Sequence, residues 1–207
     1  MTTHIAFDYH YPNAEAGHTK DYLWPSVTKI LKSEGCERVF DLGCGNGAFA
    51  RELKNLGVDV CGVDPSEQGI AQALAADSMI KLEIGDGYQP LSERFGKFPG
   101  VISLEVIGHV YYPRKFAKCI ADLLEPGGIA IVSTPYHSYC KNLILALSGR
   151  LEQHFGPLWD HGMIKFWSVD TLTQLFEEVG LKRTQVLRVG RLPVIAMSMI
   201  LVFQKPQ

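Results

Sequence analysis

Short apolar runs alternate with stretches of helical periodicity along most of the chain. The strand-like runs are 38-RVFDL-42, 58-VDVCGVD-64, 80-IKLEIGD-86, 99-PGVISLE-105 and 129-IAIVST-134. Between them, 47-GAFARELKNLG-57, 66-SEQGIAQALAAD-77 and 113-PRKFAKCIADLLEPGG-128 carry apolar residues three and four apart, the signature of a helix with one buried face. Pro113 suits a first helical turn, and Pro126-Gly127-Gly128 is expected to end that helix. A helix is expected over 21–34, stopped by Gly35, and another over 168–181, with Ser168 as its N-cap and Gly180 as its stop. Two more strands are expected, around 183-RTQVLRV-189 and 195-IAMSMILVF-203. Strands that alternate with helices imply βαβ units, a mainly parallel sheet and right-handed crossovers, which is an α/β fold.

No repeat, low-complexity tract or linker interrupts this pattern, and 207 residues fit one domain with a real core. Residues 1–35 form an N-terminal segment and helix. The stretch 4-HIAFDYHYPNAEAGHTKDYLW-24 lacks regular periodicity, so Tyr9, Tyr11 and His18 either close over a ligand or belong to a loose tail. Residues 135–167 also fit neither period. This piece follows a strand's C-terminal end, where it would cover the ligand edge of an open α/β sheet, and it reads as a lid. Its apolar part, 143-LILALSG-149, is expected to be a short helix packed on the core, with a membrane or greasy substrate as the alternative contact.

Composition narrows the function. The chain is 46% apolar and 20% charged, with a net charge of −2 and no lysine or arginine run. A dedicated nucleic-acid binder usually needs a basic face, so that class is disfavoured. The five cysteines at 36, 44, 61, 119 and 140 form no CxxC pair, and no leader-like segment precedes them. Reduced thiols in a cytoplasmic compartment are expected. The longest apolar run, 192-LPVIAMSMILVF-203, is too short to span a bilayer and reads as a buried strand.

The chemistry concentrates in 39-VFDLGCGNGAFA-50, a strand, a glycine turn and the start of a helix. Such a unit binds nucleotide-like cofactors. Gly43, Gly45 and Gly47 form G-x-G-x-G, not the G-x-G-x-x-G of a dinucleotide fold. Asp41 stands two residues before the first glycine, where a carboxylate repels a pyrophosphate and suits an ammonium and a sulfonium. Asp64 closes the second strand, placed to accept two ribose hydroxyls, and Asp86 closes the third, placed to accept from an adenine amine. Each of these acids has a plainer reading as a local cap or salt bridge. Cys44 and Asn46 read as small turn residues at the same ligand. Three strand-end acids with a glycine turn describe an adenosine bearing a cationic amino-acid tail, S-adenosylmethionine.

The motifs 39-VFDLGCGNG-47, 62-GVD-64, 85-GDG-87, 103-SLEVIGHV-110 and 124-LEPGG-128, in that order, resemble the class I S-adenosylmethionine-dependent methyltransferases. That resemblance implies a Rossmann-like seven-stranded sheet of order 3-2-1-4-5-7-6, with strand 7 antiparallel and helices on both faces. It also implies that Asp41, Gly43, Cys44, Gly45, Asn46 and Gly47 hold the methionine part. Asp64 would take the ribose, Pro65 would flank the adenine, Asp86 and Gly87 would meet the adenine amine, and Glu105 would face the cofactor or orient a backbone amide.

Methyl transfer to an oxygen needs a positioned acceptor and a base near neutrality, and histidine suits that task. His109 follows the fourth strand. The order Glu105…His109 resembles the ubiquinone-biosynthesis O-methyltransferase type, which reads E-x-x-E-H there and uses a divalent metal. Here Gly108 replaces the second acid, and Glu105 with His109 makes a poor magnesium site, so no metal is expected. Tyr136 and His137, in 134-TPYHS-138, and His161, in 161-HGMIKFWSVDTL-172, would face the acceptor by the same resemblance; His154 reads as a surface residue.

A small-molecule methyltransferase, moving a methyl group to an oxygen of an aromatic or lipidic acceptor, is the reading that follows. A small amine, or a protein or RNA acceptor, is the alternative. A cofactor-binding protein without catalysis and a dehydrogenase are more remote. A monomer or small homo-oligomer is expected.

Overall fold

The computed structural model describes residues 11–160 and 162–207, apart from the side chains of residues 153 and 154. Along the chain run α1 (Lys20–Ser33), β1 (Arg38–Leu42), α2 (Ala48–Asn55), β2 (Asp59–Asp64), α3 (Glu67–Ala76), β3 (Lys81–Ile84), α4 (Leu91–Phe95), β4 (Phe98–Leu104) and α5 (Pro113–Leu123). They are followed by β5 (Leu124–Pro135), α6 (Tyr139–Leu147), α7 (Leu151–Phe155), α8 (Val169–Glu177), β6 (Lys182–Val189) and β7 (Ser198–Gln204). Single 3-10 turns lie at Ile107–His109 and Pro193–Ile195.

The strands form one sheet of order β3-β2-β1-β4-β5-β7-β6, the order implied by the family resemblance. The first five pair in parallel, and β7 runs antiparallel to both β5 and β6. Central strands are apolar on both sides because both faces are covered. Phe40 and Leu42 of β1 join the cluster that includes Phe116, Ile120, Leu172 and Phe176, under α5 and α8. Val39, on the opposite side of the pleat, joins Leu23, Val27, Phe49, Leu53 and Ile70, under α1, α2 and α3. Ala130 and Val132 face the first cluster, and Ile129 and Ile131 the second.

Local signals set several boundaries. Ser168 caps α8 through a reciprocal pair with Thr171, and Gly180 takes a left-handed φ of 83° just beyond the helix. Three expectations need correction. The helix expected to run to Pro126-Gly127-Gly128 ends at Leu123, because Leu124 already pairs with Phe98 and opens β5. The strand expected from residue 195 begins at Ser198, after the 3-10 turn at Pro193–Ile195. The 143–149 piece is a helix, but among the described residues no α6 side chain is buried, so it is not packed on the core. The short α4 carries no periodic signal and was not expected.

Candidate active site

Every residue expected to hold the cofactor comes to the edge formed by the C-terminal ends of β1, β2, β3 and β4. Between β1 and α2 the chain turns through Gly43, Gly45 and Gly47, with φ of 88°, 56° and 69°. Side-chain-bearing residues adopt such values only under strain. Space adds a second requirement. A β-carbon on Gly43 would lie 2.4 Å from Val106 Cγ2, and one on Gly45 would lie 2.5 Å from the Tyr11 hydroxyl oxygen. The amides of Gly43 and Cys44 both donate to the Val63 carbonyl, pinning the turn to β2.

Asp64 completes that attachment. Its carboxylate accepts from the Gly45 amide at 2.8 Å and from the Ser66 amide at 2.9 Å. Ser66, not Asp64, caps α3, with its side chain accepting from Gly69 N. Burial raises the Asp64 carboxyl, and these two amide bonds pull it back toward ionisation. Lone pairs remain on both oxygens for a ribose. Pro65 is half-buried beside it. Asp86 lies two residues past the end of β3 rather than closing it, and accepts from Tyr88 N at 2.8 Å. Gly87 is a packing position, since a β-carbon there would meet Phe116 Cδ2 at 2.3 Å.

Asp41 is only 4% exposed. Burial, with the nearby Asp64 charge adding to it, pushes its carboxyl up to about 7. Glu105, just past the end of β4, also rises to about 7. Burial is the dominant cause there, opposed by hydrogen bonds from Ser133 and Ser198 and by the Lys141 ammonium. Ser133 Oγ donates to Glu105 Oε1 at 2.8 Å and accepts from the Glu105 amide at 2.9 Å. Glu105 has a φ of 62°, the one positive value among the described non-glycine residues. Such backbone costs about 1–3 kcal/mol and persists where the surroundings over-determine it. Tyr22 of α1 joins the group through Ser198. Burial also lifts Cys44, 8% exposed, well above the usual thiol range.

Residues 11–15 lie along the glycine turn. The Tyr11 amide donates to Gln68 Oε1 at 3.3 Å, and Gln72 Nε2 donates to the Tyr11 carbonyl at 2.7 Å. Asn46 Nδ2 donates to the carbonyls of Asn13 and Glu15 at 2.8 and 2.9 Å, and Arg51 donates to that of Ala14. Asn46 is thus more than a small turn residue: its side chain ties the N-terminal segment down. Among the described residues none ties His18 down in this way, and Tyr9 lies outside them.

On the acceptor side, His109 ends the 3-10 turn after β4 and meets Trp159 edge-on, with ring centroids 5.7 Å apart. His137 packs against Phe166 at 5.1 Å and Phe155 at 6.2 Å. These contacts join the β4 and β5 ends to the 135–167 segment through aromatic faces. Tyr136 goes elsewhere. It is 7% exposed, sits in the core cluster and lies beneath the Arg188 guanidinium, so its ring is a packing element and not a pocket wall. His161, and the side chain of His154, lie outside the described residues. Gly108 receives the 135–167 segment: its carbonyl accepts from the amides of Ile164 and Lys165, and a β-carbon would meet Met163 Sδ at 3.2 Å. An acid at this position would therefore point into that contact. Among the described residues no group of three or more His, Cys, Asp or Glu is placed to hold a metal ion.

Residues 11–186 match the family described as "Methyltransferase domain". The chain belongs to that methyltransferase family. It is 30% identical over 182 residues to the ubiquinone biosynthesis O-methyltransferase of Dinoroseobacter shibae, covering 86% of this chain and 71% of that one. A Caulobacter enzyme of the same name is 40% identical over 118 residues, 54% of this chain and 46% of its own. The chain thus spans less than half of that relative. Among solved structures, the magnesium protoporphyrin IX methyltransferase of Synechocystis superposes with a TM-score of 0.67 at 19% identity, covering 88% of this chain and 81% of that one. The 1,6-didemethyltoxoflavin-N1-methyltransferase of Burkholderia thailandensis gives 0.64 at 16% identity, with 88% and 77% covered. The chain is a S-adenosylmethionine-dependent methyltransferase of Rossmann-like fold.

The methyltransferase's own residues fit that cofactor. A ligand with an ammonium and a sulfonium would supply positive charge for the raised Asp41 and Glu105 carboxyls at the ends of β1 and β4. Residues that sequence reasoning missed are Tyr22, Ser133, Ser198 and Lys141 around Glu105, and Gln68, Gln72 and Arg51 under the N-terminal segment. Ser133 and Ser198 did leave a trace, as lone hydroxyls inside the apolar runs 129-IAIVST-134 and 195-IAMSMILVF-203.

Proposed function

We propose that this methyltransferase moves the methyl group of S-adenosylmethionine to an oxygen of a small aromatic or lipidic molecule. The observation that carries the reading is the placing of two acids at neighbouring strand ends by the glycine turn, Asp41 buried on β1 and Glu105 half-buried after β4, each with its carboxyl raised by its surroundings. Asp41 with the turn's backbone would hold the methionine part, Asp64 the ribose, Pro65 and Asp86 the adenine, and Glu105 would face the cationic end. The cofactor supplies a methyl carbon on a positively charged sulfur. The acceptor's oxygen–carbon bond would form as the carbon–sulfur bond breaks, so the sulfur would leave neutral. The hydroxyl proton goes to a base, for which His109 and His137 are the candidates. The residues' main contribution is to orient the acceptor and keep water out.

The aromatic surroundings of both histidines support a flat or greasy acceptor over a highly charged one. The relatives named for ubiquinone biosynthesis support the same class. A small amine is the second reading, favoured by the Glu105 carboxyl, which would pair with an ammonium. Gly108 with its bound backbone favours a reaction that needs no divalent metal, because Glu105 and His109 offer too few oxygens for magnesium. Residues 135–167 would act as a lid on the acceptor. The cytoplasm, where free thiols stay reduced, is the compartment this reading assigns.

The test is incubation with methyl-labelled S-adenosylmethionine and three cell fractions, small metabolites, proteins and RNA, with magnesium or with EDTA. Label in the small-metabolite fraction in both arms is the expected result. Label in protein or RNA would overturn the acceptor class, and loss with EDTA would overturn the metal-free reading. A second prediction concerns Glu105→Gln. S-adenosylmethionine binding to the parent protein is expected to tighten as pH rises through about 7, because the two raised carboxyls ionise and then attract the cation. The glutamine variant should bind roughly tenfold more weakly above that pH and show a shallower pH profile by calorimetry. An unchanged profile would remove Glu105 from the cofactor site.

A further inference from the structure

On the face of the sheet that α1 covers, two apolar rows end in hydroxyls. Along β5 the row is Ile129, Ile131 and Ser133, and along β7 it is Val202, Ile200 and Ser198. Ser133 and Ser198 are 0% and 1% exposed, a depth at which a hydroxyl costs stability unless it is partnered. The partner they share is Glu105. The Ser133 hydroxyl donates to Glu105 Oε1 at 2.8 Å and accepts from the Glu105 amide at 2.9 Å, so one oxygen fastens both the side chain and the backbone of that residue. The Ser133 carbonyl also accepts from the Glu105 amide, at 3.1 Å. Ser198 reaches the Glu105 carboxyl from β7, and it bonds the Tyr22 phenol of α1 as well.

The arrangement is that of a held side chain. Glu105 keeps a φ of 62°, which a residue with a side chain adopts only where its surroundings impose it. Alanine would fill either serine's place in the apolar row without burying a polar atom, but it can neither donate to a carboxyl nor accept from an amide. Ser103 makes the contrast. It is equally buried, in register with Val132 on the opposite face of the sheet, and its hydroxyl has no hydrogen-bond partner among the described residues.

We propose that Ser133 and Ser198 are positioning residues of the cofactor site, holding the Glu105 carboxyl at the strand ends as a fixed acceptor for the cationic tail of S-adenosylmethionine. They act through Glu105 and not on the reacting atoms. The proposal rests on the reading that Glu105 faces that cationic end.

Isothermal titration of the full chain above about pH 7 tests it, with S-adenosylmethionine and with S-adenosylhomocysteine, which lacks the sulfonium. Ser133→Ala should weaken S-adenosylmethionine binding about fivefold and S-adenosylhomocysteine binding less than about twofold. In a Glu105→Gln background the same substitution should change little, because the charge it places is gone. Ser198→Ala should repeat this pattern, and it decides the matter if Ser133→Ala fails to fold. Ser103→Ala, the control for emptying a buried hydroxyl site, should bind both ligands as the parent does. A Glu105→Gln variant with parental affinity for S-adenosylmethionine would overturn the reading of Glu105 and the proposal together. If Glu105→Gln does weaken binding, the proposal alone falls when the serine variants keep parental affinity, lose both ligands equally, or add their full effect to that of Glu105→Gln. It falls also if Ser103→Ala weakens S-adenosylmethionine binding as much as Ser133→Ala.

Discussion

Asparagine in place of Asp41 is expected to weaken S-adenosylmethionine binding about a hundredfold, the ~3 kcal/mol scale on which a desolvated charge loses its partner. The product S-adenosylhomocysteine has no sulfonium, so its binding should fall less. Isothermal titration with both ligands separates the two. Stability should move the other way. The Asp41 carboxyl has a folded-state value of about 7, above the ordinary carboxylate range, so the native state without cofactor holds a proton that the unfolded chain releases. This contribution is fully present below the unfolded value and is lost as pH rises through about 7. The asparagine variant lacks that loss. Its melting temperature without cofactor should be higher than the parent's at pH values above about 7, and flatter between about 4 and 7. Undiminished binding would make Asp41 a structural acid.

Alanine at Gly62 is expected to unfold much of the protein, because the new β-carbon would lie 2.3 Å from the Asp41 backbone oxygen and 3.0 Å from its Cβ. Gly62 is the register partner of Asp41. The clash is therefore with the neighbouring strand's own backbone, which cannot swing aside as a side chain can. A cost of about 3 kcal/mol or more follows, with a melting point roughly 10 °C lower or no soluble protein. Gly57→Ala is the control. Its φ is +86° but nothing lies within 4 Å, so backbone strain alone should cost about 1 kcal/mol. Equal losses at the two positions would show that close approach of β1 and β2 is not what requires Gly62.

Much of this architecture was legible because the chemistry is local. The strand 38-RVFDL-42, the three glycines after it and Asp64 at the end of the next strand sit within one βαβ unit, and each meets its partners there. Legibility failed where a distant segment decides. Leu124 ends a helix because β4 takes it into the sheet, which no turn signal announces. Ser133 reaches Glu105 only because β4 and β5 pair in parallel, and Ser198 only because β7 returns antiparallel to β5, where Ser198 stands opposite Pro135. The apolar residues of α6 announce a helix, yet periodicity tells which residues share a face and not what covers it. Asn46 looked like turn chemistry because its partners, Asn13 and Glu15, come from a stretch without periodic signal.

The position of β7 between β5 and β6 has a consequence for how the protein is made. β6 leaves the ribosome first, but its sheet partner is β7, and the edge of β5 awaits the same strand. Until residues 198–204 emerge, two strand edges stand open together, one of them bordering the buried centre of the sheet. A chain shortened before residue 198 would thus lose two strands rather than one, and would present β5 as a bare template for pairing between molecules.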